Sequence, residues 1–213
     1  MNFNELVKII GDEPVFDTGF LLAGAVVPAD VRRQLSRWTR AGRLYQLRRG
    51  LYCLAPPYQK VSPQPFLAAN RLVRSSYVSL QSALAFHGLI PEHVPVVTSV
   101  TTARPGRRVT ALGTFVFRHI KTSLFGGYTL SNLSHDQQAF VATPEKALLD
   151  LVYLEPKADS SEYLGELRLQ HLETLNQNLL HRQAGKTGSP KLRRAAAIII
   201  DLARAETAEY ETL

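Results

Sequence analysis

The best-marked helix that this sequence predicts lies within residues 28–42. Pro28 stands where proline is favoured, in the first helical turn, and Gly42 stands where glycine commonly ends a helix. Asp30 lies near the positive end of the helix dipole. Apolar residues recur between these limits at helical spacing: Val31, Leu35 and Trp38. Because this stripe must be buried, other elements have to pack against one face of the helix.

The opposite face of the same helix is basic. Arg33, Arg37 and Arg40 repeat the helical spacing about 200° around the axis from the apolar stripe. An α-helix fits the major groove of B-DNA, where arginine pairs bidentately with guanine or holds a phosphate. Trp38 continues the apolar stripe, so we expect it to anchor the core rather than to stack on bases.

Two shorter helices are predicted before this one, and a hairpin after it. Residues 3–10 place four apolar residues on one helical face: Phe3, Leu6, Val7 and Ile10. Asp17 is a candidate N-cap for a helix in TGFLLAG that ends at Gly24, with Phe16 and Leu21 as a hydrophobic staple. In RLYQLRRGLYCLAP, Gly50 supplies the positive φ of a tight β-hairpin with a basic tip. Three helices followed by a hairpin predict a winged helix-turn-helix.

The positive charge of the chain is concentrated in this region. Residues 28–60 contain eight basic residues against Asp30 alone, an excess that equals the net charge of +7 of all 213 residues. We expect Arg33 and Arg37 to reach base edges of duplex DNA. Gln34 and Ser36 belong to the same DNA-reading half of the helix, whereas Arg32, Thr39 and Arg40 are expected nearer the DNA backbone. The remaining predicted contact residues, Arg48 and Arg49, lie on the hairpin tip. The alternative is an arginine-rich face that is only solvated.

The rest of the chain predicts a mixed α/β domain. SYVSLQSALAFHGLIP predicts a helix from a Ser79 cap to a Gly88 stop, and TPEKALLDLVYL predicts a central helix with a Thr143 cap and Pro144 at its first position. VPVVTSVTT and GTFVFRHI predict strands, and residues 162–182 and 190–210 predict two further helices.

Four prolines in the ten residues of PPYQKVSPQP indicate a linker. The expected fold class is therefore α+β, with a winged helix-turn-helix at residues 1–57 and a linker at 58–65. A mixed α/β domain that ends in helices follows at 66–213.

The sequence shows no constellation that indicates catalysis, a metal or a cofactor. Its lone cysteine, Cys53, excludes a disulfide framework, and its six histidines lack ligand spacing. GKTGS at 185–189 lacks the leading glycine and the strand of a phosphate loop, so we expect an interhelical loop. Glu145 and Asp150 are five residues apart, on different sides of a helix, which argues against an acid/base pair. We expect a protein that is not an enzyme.

Localisation follows from what the sequence lacks. The opening MNFNELVKII has no signal-peptide layout, and apolar runs such as residues 195–200 are far shorter than the roughly 20 residues needed to cross a bilayer. We therefore expect a cytoplasmic protein that does not span a membrane.

The ordered motifs resemble the AbiEi family of antitoxin-like transcriptional regulators. The resemblance covers about residues 3–155 and rests on RRGLYCL, YVSLQSALAFHGLIPE, VTSVTT, GTFVFRHI and ATPEKALLDLVYL. It implies an autorepressor whose winged helix binds inverted repeats upstream of its own operon, with Arg33, Arg37 and the wing arginines at DNA-binding positions. It also implies a C-terminal domain that counters an AbiEii-type nucleotidyltransferase toxin, in type IV toxin–antitoxin systems often connected with phage abortive infection.

Motif residues of the C-terminal domain are candidates for partner binding: Ser79, Ser82, His87, Thr143, Glu145 and Lys146. Most of them also suit helix caps and turns, and Glu145 is placed to serve a helix N-terminus. Arg104, Arg107 and Arg108 form a second basic cluster in a predicted loop beside Gly106. That loop would contact the DNA backbone or an acidic partner, or it would be exposed to solvent only.

Three other functions are compatible with the sequence. An RNA-binding module would prefer structured RNA to a duplex DNA repeat. A nucleic-acid enzyme would lose turnover when His87 or Glu145 is replaced. A protein-interaction adaptor would keep its partner and have no affinity for DNA.

Overall fold

The computed structural model describes residues 1–22 and 27–210, with side chains described as far as residue 206 at the C-terminal end. This part of the chain is mixed α+β, with nine α-helices and two β-sheets. The first 54 residues contain α1 (Phe3–Ile10), β1 (Phe16–Asp17), α2 (Thr18–Leu21), α3 (Pro28–Arg40), β2 (Leu44–Arg48) and β3 (Leu51–Leu54). Their three strands form an antiparallel sheet in the order β1-β3-β2.

The sequence predicted α1 and α3 correctly. The α1 helix has the predicted limits and begins with a capping box in which Asn2 and Glu5 bond reciprocally. The α3 helix begins at Pro28, ends two residues before Gly42, and buries the apolar stripe that includes Leu35 and Trp38. Its burial provides the packing that holds the opposite, basic face outward.

The α2 helix and the hairpin are also present, with one difference. The α2 helix follows Asp17, but the Asp17 side chain makes no cap hydrogen bond, so that cap was wrongly predicted. Its carboxylate pairs with Arg48 and Arg74 instead. The predicted end at Gly24 lies outside the described residues. Gly50 has a φ of 80° between β2 and β3, as the hairpin prediction requires.

The second sheet has six strands, in the order β6-β7-β5-β4-β9-β8. Its strands are β4 (Ser76–Val78), β5 (Val96–Thr101), β6 (Gly106–Thr110), β7 (Gly113–His119), β8 (Tyr128–Asn132) and β9 (Gln138–Ala142). The neighbouring helices are α4 (Pro65–Leu72), α5 (Leu80–Phe86), α6 (Pro144–Leu154), α7 (Ser161–Glu166), α8 (Gln177–Lys186) and α9 (Pro190–Tyr210). The pairs β4·β9 and β5·β7 are parallel, and the other pairs are antiparallel.

Two of the predictions for this region were wrong. Residues 162–182 do not form one helix, because Arg168 and His171 adopt positive φ values and Asn176 caps a separate helix, α8. The predicted loop around Arg107 and Arg108 is the edge strand β6, which pairs with β7 through backbone hydrogen bonds. Its exposed residues give no apolar alternation, so the sequence carried no strand signal there.

The helices and strands pack around two hydrophobic clusters. The smaller cluster lies among α1, α2, α3 and the first sheet. The larger one surrounds the six-stranded sheet and α6, whose residues 145–152 are all buried, as predicted for a central helix. Four residues near or in the hairpin belong to the larger cluster: Val15, Leu47, Leu51 and Cys53.

The segment predicted as a linker is held by specific contacts. The Tyr58 ring lies 4.9 Å from the Phe3 ring, edge to face. The Gln137 side chain accepts a bond from the Gln64 N–H and donates one to the Ser62 carbonyl, both at 2.8 Å. Pro65 already belongs to α4. Among the helices described, none is both long and apolar enough to cross a membrane.

Candidate nucleic-acid interface

The basic face of α3 is exposed along its whole length. Arg32, Arg33, Arg37 and Arg40 are exposed, as is Ser36, whereas the buried stripe on the other face has less than 5% exposure. A guanidinium Nη1 of Arg33 lies 3.5 Å from Asp30 Oδ1, one turn away, and both side chains are more than half exposed. The other three arginines have no ion-pair partner in the described part of the chain. Their guanidinium groups are exposed and form no ion pair with any described residue.

Two of the predicted contact residues on α3 are less accessible. Gln34 and Thr39 are half-buried. The Thr39 hydroxyl donates to the Leu35 carbonyl at 2.9 Å, so its donor capacity is used within the helix. The face available to a ligand therefore consists mainly of arginine side chains with Ser36 between them.

The two arginines at the hairpin tip differ in exposure and in their contacts. Arg49 is exposed and has no ion-pair partner among the residues described. Arg48 is half-buried, and its Nη2 donates to the Arg71 carbonyl at 3.2 Å and lies 3.5 Å from Asp17 Oδ1. The register shift of β2 between Gln46 and Arg48 accompanies this difference. Arg48 thus links the hairpin to α4, and Arg49 remains free for a partner.

Two of the predicted residues, Ser79 and Lys146, are buried at the centre of the protein, where both contact Asp150. Asp150 has no exposed surface and accepts hydrogen bonds from Ser79 Oγ at 2.8 Å and Tyr77 Oη at 2.9 Å. Its other carboxylate oxygen pairs with the Lys146 ammonium one turn earlier on α6. Burial raises the pKa of the Asp150 carboxyl, and the Lys146 charge and the hydroxyl donors oppose that shift. Burial, and then Asp150, raise the pKa of Tyr77.

Ser79 therefore does not cap α5 with its side chain, which corrects the predicted cap. Asp150 and Tyr77 were not among the predicted site residues. The signal that could have revealed Asp150 is its i, i+4 spacing to Lys146 in a helix whose other residues after Glu145 are mainly apolar. Tyr77 gave no such signal, because the fold brings it to Asp150 across 73 residues of sequence.

Four further candidates are bonded to the surrounding framework. Ser82 Oγ donates to the Val96 carbonyl and accepts from the Thr98 N–H, which ties α5 to β5. His87 Nε2 lies 2.8 Å from the Ala142 carbonyl, between α5 and the end of β9. Glu145 Oε1 accepts from the Asn176 N–H at 2.8 Å, just before α8. Thr143 Oγ1 accepts from the Lys146 N–H and caps α6 as predicted. These contacts give each residue a structural role.

The second basic cluster lies on the surface. Arg104, Arg107 and Arg108 are exposed at the β6 edge of the sheet and have no ion-pair partner within the described chain. The structure does not join them to Ser79 or Lys146, which are buried. In the described ranges, no three His, Cys, Asp or Glu side chains converge in a way that could hold a metal ion.

Comparison with known proteins reveals the fold alone. The chain matches no protein-family model and no curated protein sequence. Among solved structures, it is similar to the RV2827C protein from Mycobacterium tuberculosis. That crystal structure superposes with a TM-score of 0.57 at 15% sequence identity, over 94% of this chain and 76% of that one. At this identity, the similarity concerns the backbone arrangement.

Proposed function

We propose that this protein is a non-enzymatic transcriptional regulator that binds duplex DNA through a winged helix-turn-helix. The observation that carries the proposal is the exposed arginine face of α3, whose members Arg32, Arg37 and Arg40 have no acidic partner in the part of the chain described. The element order of residues 3–54 supports it. Three helices lead into a two-stranded hairpin, and a short strand completes the sheet.

In the proposed complex, α3 enters the major groove with its N-terminal half. Arg33 and Arg37 contact base edges, while Arg32, Ser36 and Arg40 lie closer to the phosphates. Arg49 at the hairpin tip reaches the adjacent minor groove or its phosphates. Arg48 contributes by fixing the hairpin against α4 rather than by touching DNA, because its guanidinium is already bonded there.

We further propose that two copies bind an inverted repeat upstream of the protein's own operon, spaced by roughly 34 Å or a multiple. This part of the proposal draws on the resemblance to the AbiEi family. The same resemblance suggests an antitoxin role for the C-terminal part, directed against an AbiEii-type nucleotidyltransferase. Co-expression with such a toxin from the neighbouring gene tests that role, since an antitoxin restores growth and a regulator alone does not.

The DNA-binding proposal is tested by fluorescence anisotropy on a labelled upstream duplex at several salt concentrations. If about six phosphates are contacted, log affinity falls with log salt at a slope near −5. Duplex RNA of the same sequence serves as the comparison and should bind more weakly. A flat salt response contradicts the proposal, and tighter binding to RNA supports an RNA-binding module instead.

A further inference from the structure

A pocket of about 400 Å³ lies between α6, the end of α8 and residues 120–127. Both helices face it with residues at helical spacing: Lys146, Leu149, Asp150, Tyr153, Gln183 and Lys186. Helix faces that only pack against each other are normally apolar. Here the buried face of α6 and the partly exposed face of α8 carry charged and amide groups where they enclose a space of ligand size.

The floor of the pocket has an ammonium group with unused donors. An ammonium carries three N–H donors, and Lys146 gives one of them to Asp150. Asp150 is satisfied by Lys146, Ser79 and Tyr77 together. The Lys146 side chain is only 10% exposed; its ammonium lies 5.8 Å from the centre of the Tyr77 ring and has no second hydrogen-bond acceptor among the described residues. Gly127 packs against its stem, where a Cβ would lie 3.0 Å from Lys146 Cγ. The Lys146 side chain is therefore held in place, and its ammonium has N–H donors available for a ligand.

The wall formed by α8 contains a hydrogen-bond acceptor that has no donor. Gln183 Oε1 is buried and accepts no hydrogen bond from any described residue. A buried carbonyl oxygen without a donor is unfavourable, so a ligand that brings an N–H or O–H group to this atom would gain from it. Lys186 lies one turn further along α8, is exposed, and makes the pocket net positive. Phe125 and Leu192 complete the apolar part of the lining.

We propose that this pocket binds the monoanion of a small phosphate monoester. Its oxygens accept from Lys146 and Lys186, because lysine serves as a point charge for phosphate. Its remaining P–OH group donates to Gln183 Oε1, and its organic part packs against Phe125, Leu149 and Tyr153. A sulfate ester has no such proton, so Gln183 Oε1 discriminates against it. The proposal is independent of DNA binding.

The test is isothermal titration calorimetry of the full chain with phenyl phosphate, at about pH 6, where much of the ligand keeps its second proton. Phenyl phosphate should bind saturably at one site, and phenyl sulfate about tenfold more weakly. Lys186→Ala should weaken phenyl phosphate about tenfold. Arg182→Ala is the matched control, since Arg182 is exposed on the same helix and does not line the pocket. It should bind as the wild type does.

Gln183→Leu tests recognition of the P–OH group separately from recognition of the negative charge. It should weaken phenyl phosphate and bring its affinity close to that of phenyl sulfate, with unchanged far-UV circular dichroism. The proposal is overturned if phenyl phosphate shows no saturable binding at about 10 mM. Equal losses in Lys186→Ala and Arg182→Ala, or equal binding of the two ligands to the wild type, would overturn it as well.

Discussion

The exposed arginines around α3 differ in how free their guanidinium groups are. Arg33 forms an exposed i, i+3 ion pair with Asp30. A pair of this kind typically contributes less than about 1 kcal/mol to the free energy of unfolding. Arg37 and Arg49 have no such partner in the chain described, and Arg48 is bonded to Asp17 and Arg71. A DNA phosphate or base edge can therefore engage Arg37 and Arg49 without breaking an existing contact.

These two positions should respond differently to substitution. We expect Arg37→Ala to reduce affinity for the cognate duplex by about 1–3 kcal/mol and to relax its sequence preference. Arg49→Ala should weaken all duplexes more evenly and reduce the salt slope by about 1. Anisotropy titrations of each variant on cognate and scrambled duplexes measure both effects. If Arg37→Ala weakened binding to the cognate and scrambled duplexes equally, Arg37 would not be a base-reading residue.

The buried Lys146–Asp150 pair makes a prediction about stability. Removing one partner of a buried ion pair leaves the other charge uncompensated, which costs about 3–5 kcal/mol. We expect Asp150→Ala to destabilise the protein by this amount in urea unfolding, because Tyr77 and Ser79 also lose their acceptor. Asp201→Ala is the control, since its pair with Arg204 is about three-quarters exposed. Comparable losses in both variants would contradict the account of the buried pair.

At the scale of elements, the hairpin depends on the backbone of one glycine. Gly50 adopts a φ of 80°, and its carbonyl accepts from the Thr18 N–H at 2.8 Å, which ties the turn to α2. A Cβ at Gly50 would have ordinary contacts, its nearest neighbour being Thr18 Oγ1 at 3.8 Å. The effect of a side chain here comes from the positive φ alone.

We expect Gly50→Ala to destabilise the protein by about 1–2 kcal/mol, since a left-handed residue with a Cβ is strained. Gly19→Ala, at a helical position with open space, should be neutral or slightly stabilising. Urea unfolding of both variants measures the difference. An unchanged or raised stability in Gly50→Ala would show that the turn adopts another conformation.

Elements with caps, periodicity and turn residues could be predicted from the sequence. The α1, α3 and α6 helices and the hairpin each combine an apolar pattern with a marked end, such as Pro28, Gly50 or Thr143. Local interactions determine these features, so a single sequence carries them. The pocket between α6 and α8 was not predicted, because its walls come from segments that only the tertiary fold brings together.

Elements held by backbone pairing at the sheet edges could not be predicted in the same way. The edge strands β6 and β8 are almost entirely exposed. The β6 residues lack the alternation of apolar and polar residues that marks a half-buried strand, and the β8 residues YTLSN alternate over only five positions. The role of Arg48 was hidden for a related reason. Its partner carbonyl belongs to Arg71, 23 residues away, and only the packing of the hairpin on α4 places them together.

At the scale of the whole molecule, the hairpin joins the two hydrophobic clusters. Leu47, Leu51 and Cys53 belong to the larger cluster, and Trp38 belongs to the smaller one on the same N-terminal unit. The contacts of Arg48 and Asp17 with α4 and its vicinity add polar links between the same regions. Unfolding of the N-terminal unit would therefore expose part of the main core.

We accordingly expect one cooperative thermal transition. Trp38 is the single tryptophan of the chain and is buried in the smaller cluster, so its fluorescence reports the N-terminal unit. Far-UV circular dichroism reports the whole molecule. The two midpoints should agree within about 2 °C, as two-state unfolding requires. A fluorescence midpoint clearly below the dichroism midpoint would show that the N-terminal unit unfolds by itself.

If α3 reads DNA sequence, as we propose, the protein must bind two duplexes of equal composition and different sequence with different affinities. Anisotropy at one salt concentration compares the upstream duplex with a scrambled duplex of the same composition, for the wild type and for Arg33→Ala/Arg37→Ala. We predict about a thousandfold preference for the upstream duplex in the wild type, reduced at least tenfold in the double variant. If the wild type bound both duplexes with equal affinity, and the double variant did so too, α3 would not read DNA sequence.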